Sequence, residues 1–236
     1  MSDMDHTFQS PQQRAQFASY ALIAGLVLSV AATVASLWQL SRLASEAPTG
    51  EGEITLADGF EVLVGLATLG VYVITIILFL MWFHRVSRNL VPLGIRDQQH
   101  SPGWAVGAWF VPFANLFIPY RITKEIWLKS DTDTSEYGFL NTESTVPGFI
   151  GSWWGFWITS NIVQNAAARF SFSAATAHDL SIAEWLSILG HVLSMVATIF
   201  VLRVIKDITA RQETSGARIP NYGAPPPPPT YDANFN

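Results

Sequence analysis

Four side chains in the C-terminal half of the chain could meet and do chemistry. Asn161, Gln164 and Asn165 recur at i, i+3 and i+4, so on a helix they form one polar stripe. His191 lies in the next apolar run. If both runs are membrane helices, Asn161 and His191 fall near mid-bilayer, and Thr68 and Tyr72 of an earlier run fall near the same depth. Polar groups at that depth are the first place to look for function. An amide stripe beside an imidazole can bind a small solute, pass a proton or switch with pH. The alternative is purely structural: such groups hydrogen-bond across helices and hold a bundle together, at about 0.6 kcal/mol each.

A second set lies mid-chain. Arg85 and Arg88 are three residues apart, so they share a helix face. Two arginines there suit a lipid phosphate, with Asn89 beside them, or a carboxylate such as Glu125. The bland reading is that they anchor a helix end. Asn115, between Pro112 and Pro119, is expected to cap a helix over residues 116–129 or to line a substrate path. No zinc-protease histidine pair, phosphate loop or nucleophile elbow is present, and no catalytic residue, metal ligand or cofactor is assigned. The chain has no cysteine, which excludes disulfides and thiolate chemistry. His84 and His191 lie too far apart in depth to ligate one haem.

Charge distribution defines the elements that must position these residues. Charged residues make up 13% of the 236, about half the ~25% usual in soluble domains. Windows 15–41, 62–84, 144–168 and 185–202 contain no Asp, Glu, Lys or Arg. A helix needs about 20 apolar residues to cross a bilayer, and three windows exceed that, while the fourth extends past Glu184. The expected fold is an all-α integral membrane protein with spans over 17–40, 60–83, 148–170 and 181–204. The first run is longer than the apolar core of a signal peptide and is read as a span. Residues 1–16 are expected to be a polar tail. With both ends on the cytoplasmic side, eleven of the thirteen bases face inward. The acidic loop between the first two spans reads as solvated.

A fifth uncharged window, 98–120, differs from the others. Its apolar part, 104–118, is short, is broken by Pro112 and carries Asn115. Counting it as a span also abolishes the charge bias. It is read as re-entrant or interfacial on the cytoplasmic side, within a segment spanning 102–130. Residues 119–130 look amphipathic, with Ile122 and Ile126 on one face and Arg121, Lys124 and Lys129 supplying cations.

This middle region carries a recognisable pattern. It reads Trp82-Phe83-His84-Arg85-Val86-Ser87-Arg88-Asn89-Leu90, then Leu93-Gly94. Ser101-Pro102-Gly103-Trp104 follows, then Trp109-Phe110-Val111-Pro112, Asn115-Leu116, Pro119 and Glu125-Ile126-Trp127. The order of these motifs resembles a bacterial membrane-protein family known as domain of unknown function 4328. His84 stands where that family commonly carries an aromatic residue. The resemblance implies a multi-span bacterial membrane protein and implies no reaction; the expected location is the bacterial inner membrane, with both termini cytoplasmic.

Small residues at four-residue spacing allow close helix approach, as at Ala21, Gly25 and Ser29, at Gly151 and Gly155, and at Gly190 and Ser194. They fit a tight bundle or a homo-oligomer. Five prolines, 225–229, lie within a tail expected to be disordered from residue 212, ending in a Pro-Pro-x-Tyr match that could dock a partner. The net charge of −5 gives no reason to expect a nucleic-acid partner. The expected partners are the lipid bilayer and another membrane protein or a second copy. The expected role is non-enzymatic: interaction, assembly or envelope maintenance. The rivals are small-solute or proton transport and, third, lipid-headgroup binding or modification.

Overall fold

Each long charge-free window folds into one helix; three of the helices run past both edges of their windows, and the one for window 144–168 starts inside it. In the computed structural model, which describes residues 7–45, 56–131 and 146–219, these are α1 (Gln12–Ala44), α2 (Leu56–Arg88), α5 (Gly148–Ser173) and α6 (Ala177–Gly216). The fifth window is broken into α3 (Pro102–Gly107), one 3-10 turn (Ala114–Leu116) and α4 (Ile118–Lys129). Among the described residues every regular element is helical. The acidic loop and the five-proline stretch lie outside the described residues.

The helices are inside-out relative to a water-soluble bundle. Along α1 the buried residues are Ala15, Ala18, Ala21, Ala35 and Ser36, while Ile23, Val27, Val30, Val34 and Leu37 point outward. On α2, Leu63, Leu66, Leu69, Val73, Ile74 and Ile77 are exposed likewise. Large apolar side chains outside and small ones inside suit a lipid solvent, where close backbone packing replaces the hydrophobic effect between helices. By length and composition, α1, α2 and α6 can each cross a membrane. The expectation was four such helices. The fourth, α5, has 26 residues and is long enough, but its amides, hydroxyls and tryptophans dilute its apolar character.

Helix α1 packs between α2 and α6, and α5 packs against the other side of α6. The α5–α6 connection is three residues long and ends in a capping box: Asp179 N–H donates to Thr176 Oγ1 at 3.1 Å and Thr176 N–H to Asp179 Oδ2 at 3.0 Å. At Gly190 of α6 the fit to α5 is tight, because a Cβ there would lie 2.6 Å from Gln164 Cγ.

Both ends of the described chain reach the same end of the bundle, here termed the junction. Ser10 donates to Glu213, and Phe8 lies on Gly216 where any Cβ would strike its ring. The expected N-terminal tail is therefore packed from Phe8 onward and helical from Gln12. The expected C-terminal tail begins later than residue 212, since α6 continues to Gly216 with Gln212 and Ser215 buried. At about 60 Å by helical rise, α6 is twice the length needed to cross a bilayer.

The segment from α3 to α4 wedges in at the junction, with α3 against α2 and α4 against α5. Trp109 is its anchor. Its ring meets Trp157 at 5.4 Å, Phe79 at 5.6 Å and Trp154 at 5.8 Å, all edge to face. Trp82, Trp153 and Trp154 are buried in protein, so these tryptophans are core residues and do not form a lipid-facing belt. Past Pro112 the backbone reverses at Phe113, whose φ of 63° is rare for a residue with a side chain. Trp154 Nε1 then holds the turn by donating to Leu116 O at 3.0 Å.

The glycine contact gives a direct test of the α5–α6 packing. Gly190→Ala should lower the midpoint of thermal unfolding in detergent by an amount corresponding to about 1–3 kcal/mol of overpacking. Gly155→Ala, with nothing within 4 Å of the new methyl, should leave it unchanged or slightly raised. Equal midpoints for the two variants would contradict this packing.

Candidate functional site

The junction gathers the polar residues of the mid-chain motif into one dry network. Gln212 of α6 is fully buried and stands at its centre. Its Nε2 donates to Val86 O at 2.7 Å and to Ser130 Oγ at 3.1 Å. Its Oε1 accepts from Asn89 Nδ2 at 3.1 Å. Val86 O is free to accept because α2 tightens at its last turn, where Leu90 N–H bonds to Ser87 O. The chain then turns at Gly94, whose φ of 90° favours a residue without Cβ.

Asn89 extends the network to the N-terminus, donating to Gln9 O at 2.8 Å. Trp82 Nε1 donates to Thr209 Oγ1 at 3.1 Å, and Ser215 Oγ to Ser130 O at 2.8 Å. Gln98 Nε2 reaches Ser87 Oγ at 3.0 Å. One cluster thus ties the N-terminal segment, α2, the connecting segment, the end of α4 and α6.

A charged cluster lies beside it on α4. Glu125 is buried, yet its carboxylate is well served. His100 Nδ1 lies 2.9 Å from Oε2, Gln99 N–H donates to Oε1 at 2.5 Å, and Lys129 Nζ lies 3.3 Å from Oε1. Lys129 also pairs with Asp97 at 3.2 Å. Burial by itself pushes the Glu125 carboxyl up, but the His100, Gln99 and Lys129 hydrogen bonds and the Lys129 charge outweigh it and hold the group below the usual range. The sequence-level pairing of Glu125 with Arg85 is not made, because these nearer donors occupy it. Trp127 carries the Arg211 guanidinium on its face at 4.0 Å.

Asn115 is not a helix cap. The residue preceding α4 is Phe117, with no side-chain cap, and Pro119 occupies the favoured first-turn site. Asn115 instead lines an open groove of about 570 Å³ on α5 with Trp157, Asn161, Asn165 and Arg169. Asn161 and Asn165 each donate to the backbone carbonyl one turn earlier, at 2.7 and 2.8 Å. Gln164 and His191 line a different cleft, of about 280 Å³ between α5 and α6, with Glu184 and Ser187. His191 Nδ1 is buried there without a hydrogen-bond partner. Thr68 and Tyr72 of α2 line neither cleft. Thr68 Oγ1 is buried and unpartnered, and Tyr72 is half exposed.

Sequence reasoning did not single out Gln212, Ser130, Ser215, Thr209, Gln98 or His100. No local signal marks them, since their partners lie from 11 to 127 residues away. Among the described residues there is no group of three or more His, Asp or Glu that could hold a metal ion.

The Glu125 cluster sets a pH dependence. A carboxyl depressed in the folded state adds stability above its unfolded value of about 4.3, lost as pH falls through the folded value. Thermal unfolding between pH 7 and 3 should show this loss in the parent protein. Glu125→Gln should be less stable at pH 7 and flatter across the acid range. A variant with an unchanged acid limb would refute the assignment.

The comparisons with known proteins agree with the motif-level resemblance. No curated protein and no solved structure matches the chain. One family model does, described as "Domain of unknown function (DUF4328)", over residues 45–210. That match covers α2 to most of α6, including the aromatic residues around Trp109 but not Gln212, and the chain belongs to the DUF4328 family.

Proposed function

We propose that this protein is a four-span assembly factor of the bacterial inner membrane that associates with a second copy of itself along α5. The supporting observation is the open polar groove on α5. Asn165 is exposed and Asn161 half exposed on a helix that packs mainly against α6. Uncovered amides are costly at membrane depth. An amide both donates and accepts, so the same face on a second copy can complete its hydrogen bonds. In this reading α5 is the third span, the segment over 102–130 is re-entrant or interfacial, and both termini are cytoplasmic. The shared junction end and the placement of eleven of thirteen bases support that orientation. The role requires no catalytic group.

The absence of cysteine makes the test clean. Asn165→Cys should form a disulfide-linked dimer in oxidised membranes, while Ala167→Cys, buried against the bundle, should not. On intact cells an impermeant maleimide should label His178→Cys and leave Gln98→Cys unlabelled until the membrane is opened. A monomeric Asn165→Cys protein would end the assembly proposal, and labelling of Gln98→Cys on intact cells would end the topology.

The α5–α6 cleft supports a second reading, a site for a small polar solute or a proton. It rests on the unpartnered His191 Nδ1 facing Gln164, Ser187 and Glu184. If this holds, His191→Ala abolishes solute uptake or proton flux in proteoliposomes while the dimer persists. Unchanged flux would discard it.

A further inference from the structure

Four carboxylates near the junction have a cationic partner. Glu125 and Asp97 have Lys129, Asp131 has Arg211, and Asp207 has Arg203. Arg88 also has an interaction of its own. Of the two buried charged side chains among the described residues, Glu125 has ion pairs and Arg85 has none. Arg85 is only 8% exposed, on the last turns of α2, and it pairs with no carboxylate among the described residues. Glu213, across at the end of α6, takes a hydrogen bond from Ser10.

A second guanidinium shares this place. Arg14 reaches across from α1 and its Nη1 donates to Met81 O at 3.1 Å, one helical turn before Arg85. The positive charge of Arg14 bears on Arg85, and both bear on His84. The first turn of α1 contains no acidic residue to balance them. Two cations from different helices thus converge on one turn of α2, one of them buried. Like charges at close range repel, and a buried ion without a counter-ion is strongly disfavoured. The arrangement becomes favourable once an anion lies between the guanidiniums.

We propose that Arg14 and Arg85, with His84 beside them, bind a phosphate group at the junction end of α1 and α2. Guanidiniums match phosphate through paired, charge-assisted hydrogen bonds, and two from separate helices can clasp one phosphate from two sides. The phosphate is that of an anionic phospholipid headgroup or a free phosphate ion; the chemistry is shared. The lipid source rests on the membrane reading above, but the site does not depend on dimer formation. Spacing alone groups Arg85 with Arg88; the fold brings in Arg14, 71 positions upstream of Arg85.

The full-length protein in mild detergent decides this by native mass spectrometry and thermal unfolding. The probes are phosphatidylglycerol, diacylglycerol of the same acyl chains, and inorganic phosphate against chloride at equal ionic strength. Phosphatidylglycerol should be retained and diacylglycerol not. Arg14→Gln and Arg85→Gln should each weaken retention about tenfold, the loss of one charge-assisted contact. Arg85→Lys should retain part of it. Stabilisation by inorganic phosphate as well would identify a general phosphate site; stabilisation by the lipid alone would identify a headgroup site. The proposal is overturned if neither probe binds the parent protein, or if Arg14→Gln binds both as the parent does. Arg14 is a partly exposed residue near the start of α1, so this variant keeps the test decisive even where Arg85→Gln fails to fold.

Discussion

The buried amide of Gln212 is the interaction on which the rest of the junction depends. It bonds to the last turn of α2 through Val86 O, to the motif residue Asn89 and to Ser130 at the end of α4. Each of these groups is removed from water by the packing that brings it there. A buried donor or acceptor left unpaired costs about 1–3 kcal/mol, whereas a made bond contributes less than that. The network therefore acts mainly as a selector. Any register of α6 that misplaces Gln212 leaves several partners unsatisfied together.

This selectivity complements a bundle whose other contacts are permissive. Along α1 and the first half of α6 the buried residues are small, namely alanines with Ser36 and Gly190, which allow close approach but specify position weakly. At the junction the interfaces change to interlocking aromatics and side-chain hydrogen bonds. Trp109 fills the gap between α2 and α5, two helices that otherwise have little mutual contact, and Trp154 fastens the turn beneath it. The wedge made by residues 102–130 thus substitutes for a fifth helix at one end of the bundle only.

The side chains around Gln212 are hydrogen-bonded to one another, while Trp109 Nε1 stays buried without a partner and the edges of the bundle are left open. The junction amides are saturated, while the α5 groove retains exposed amides and the turn at Arg85 retains excess positive charge. Those edges are where the proposed second copy and the proposed phosphate would sit, because there an incoming group would supply interactions that the chain itself lacks.

Much of the architecture was legible in the sequence. The charge-free windows locate the long helices, because a run without charge that exceeds the bilayer thickness has few other stable fates. Pro112 and Pro119 foretold the broken fifth window, since proline interrupts helical hydrogen bonding wherever it stands. The ordered motif from Trp82 to Trp127 carried the family. What the sequence left open follows from the range of the interactions. Helices α1 and α6 extend to Gln12 and Gly216, beyond what composition suggests, because tertiary contacts through Phe8, Ser10 and Gln212 hold residues whose composition reads as tail. Local spacing puts Asn161 with Gln164, yet with α6 packed against α5 the two line different clefts. The elements and their order are encoded locally, by hydrophobic run length and proline. Which polar groups share a site is decided only when helices distant in sequence pack, because a hydrogen bond is satisfied in space and not along the chain.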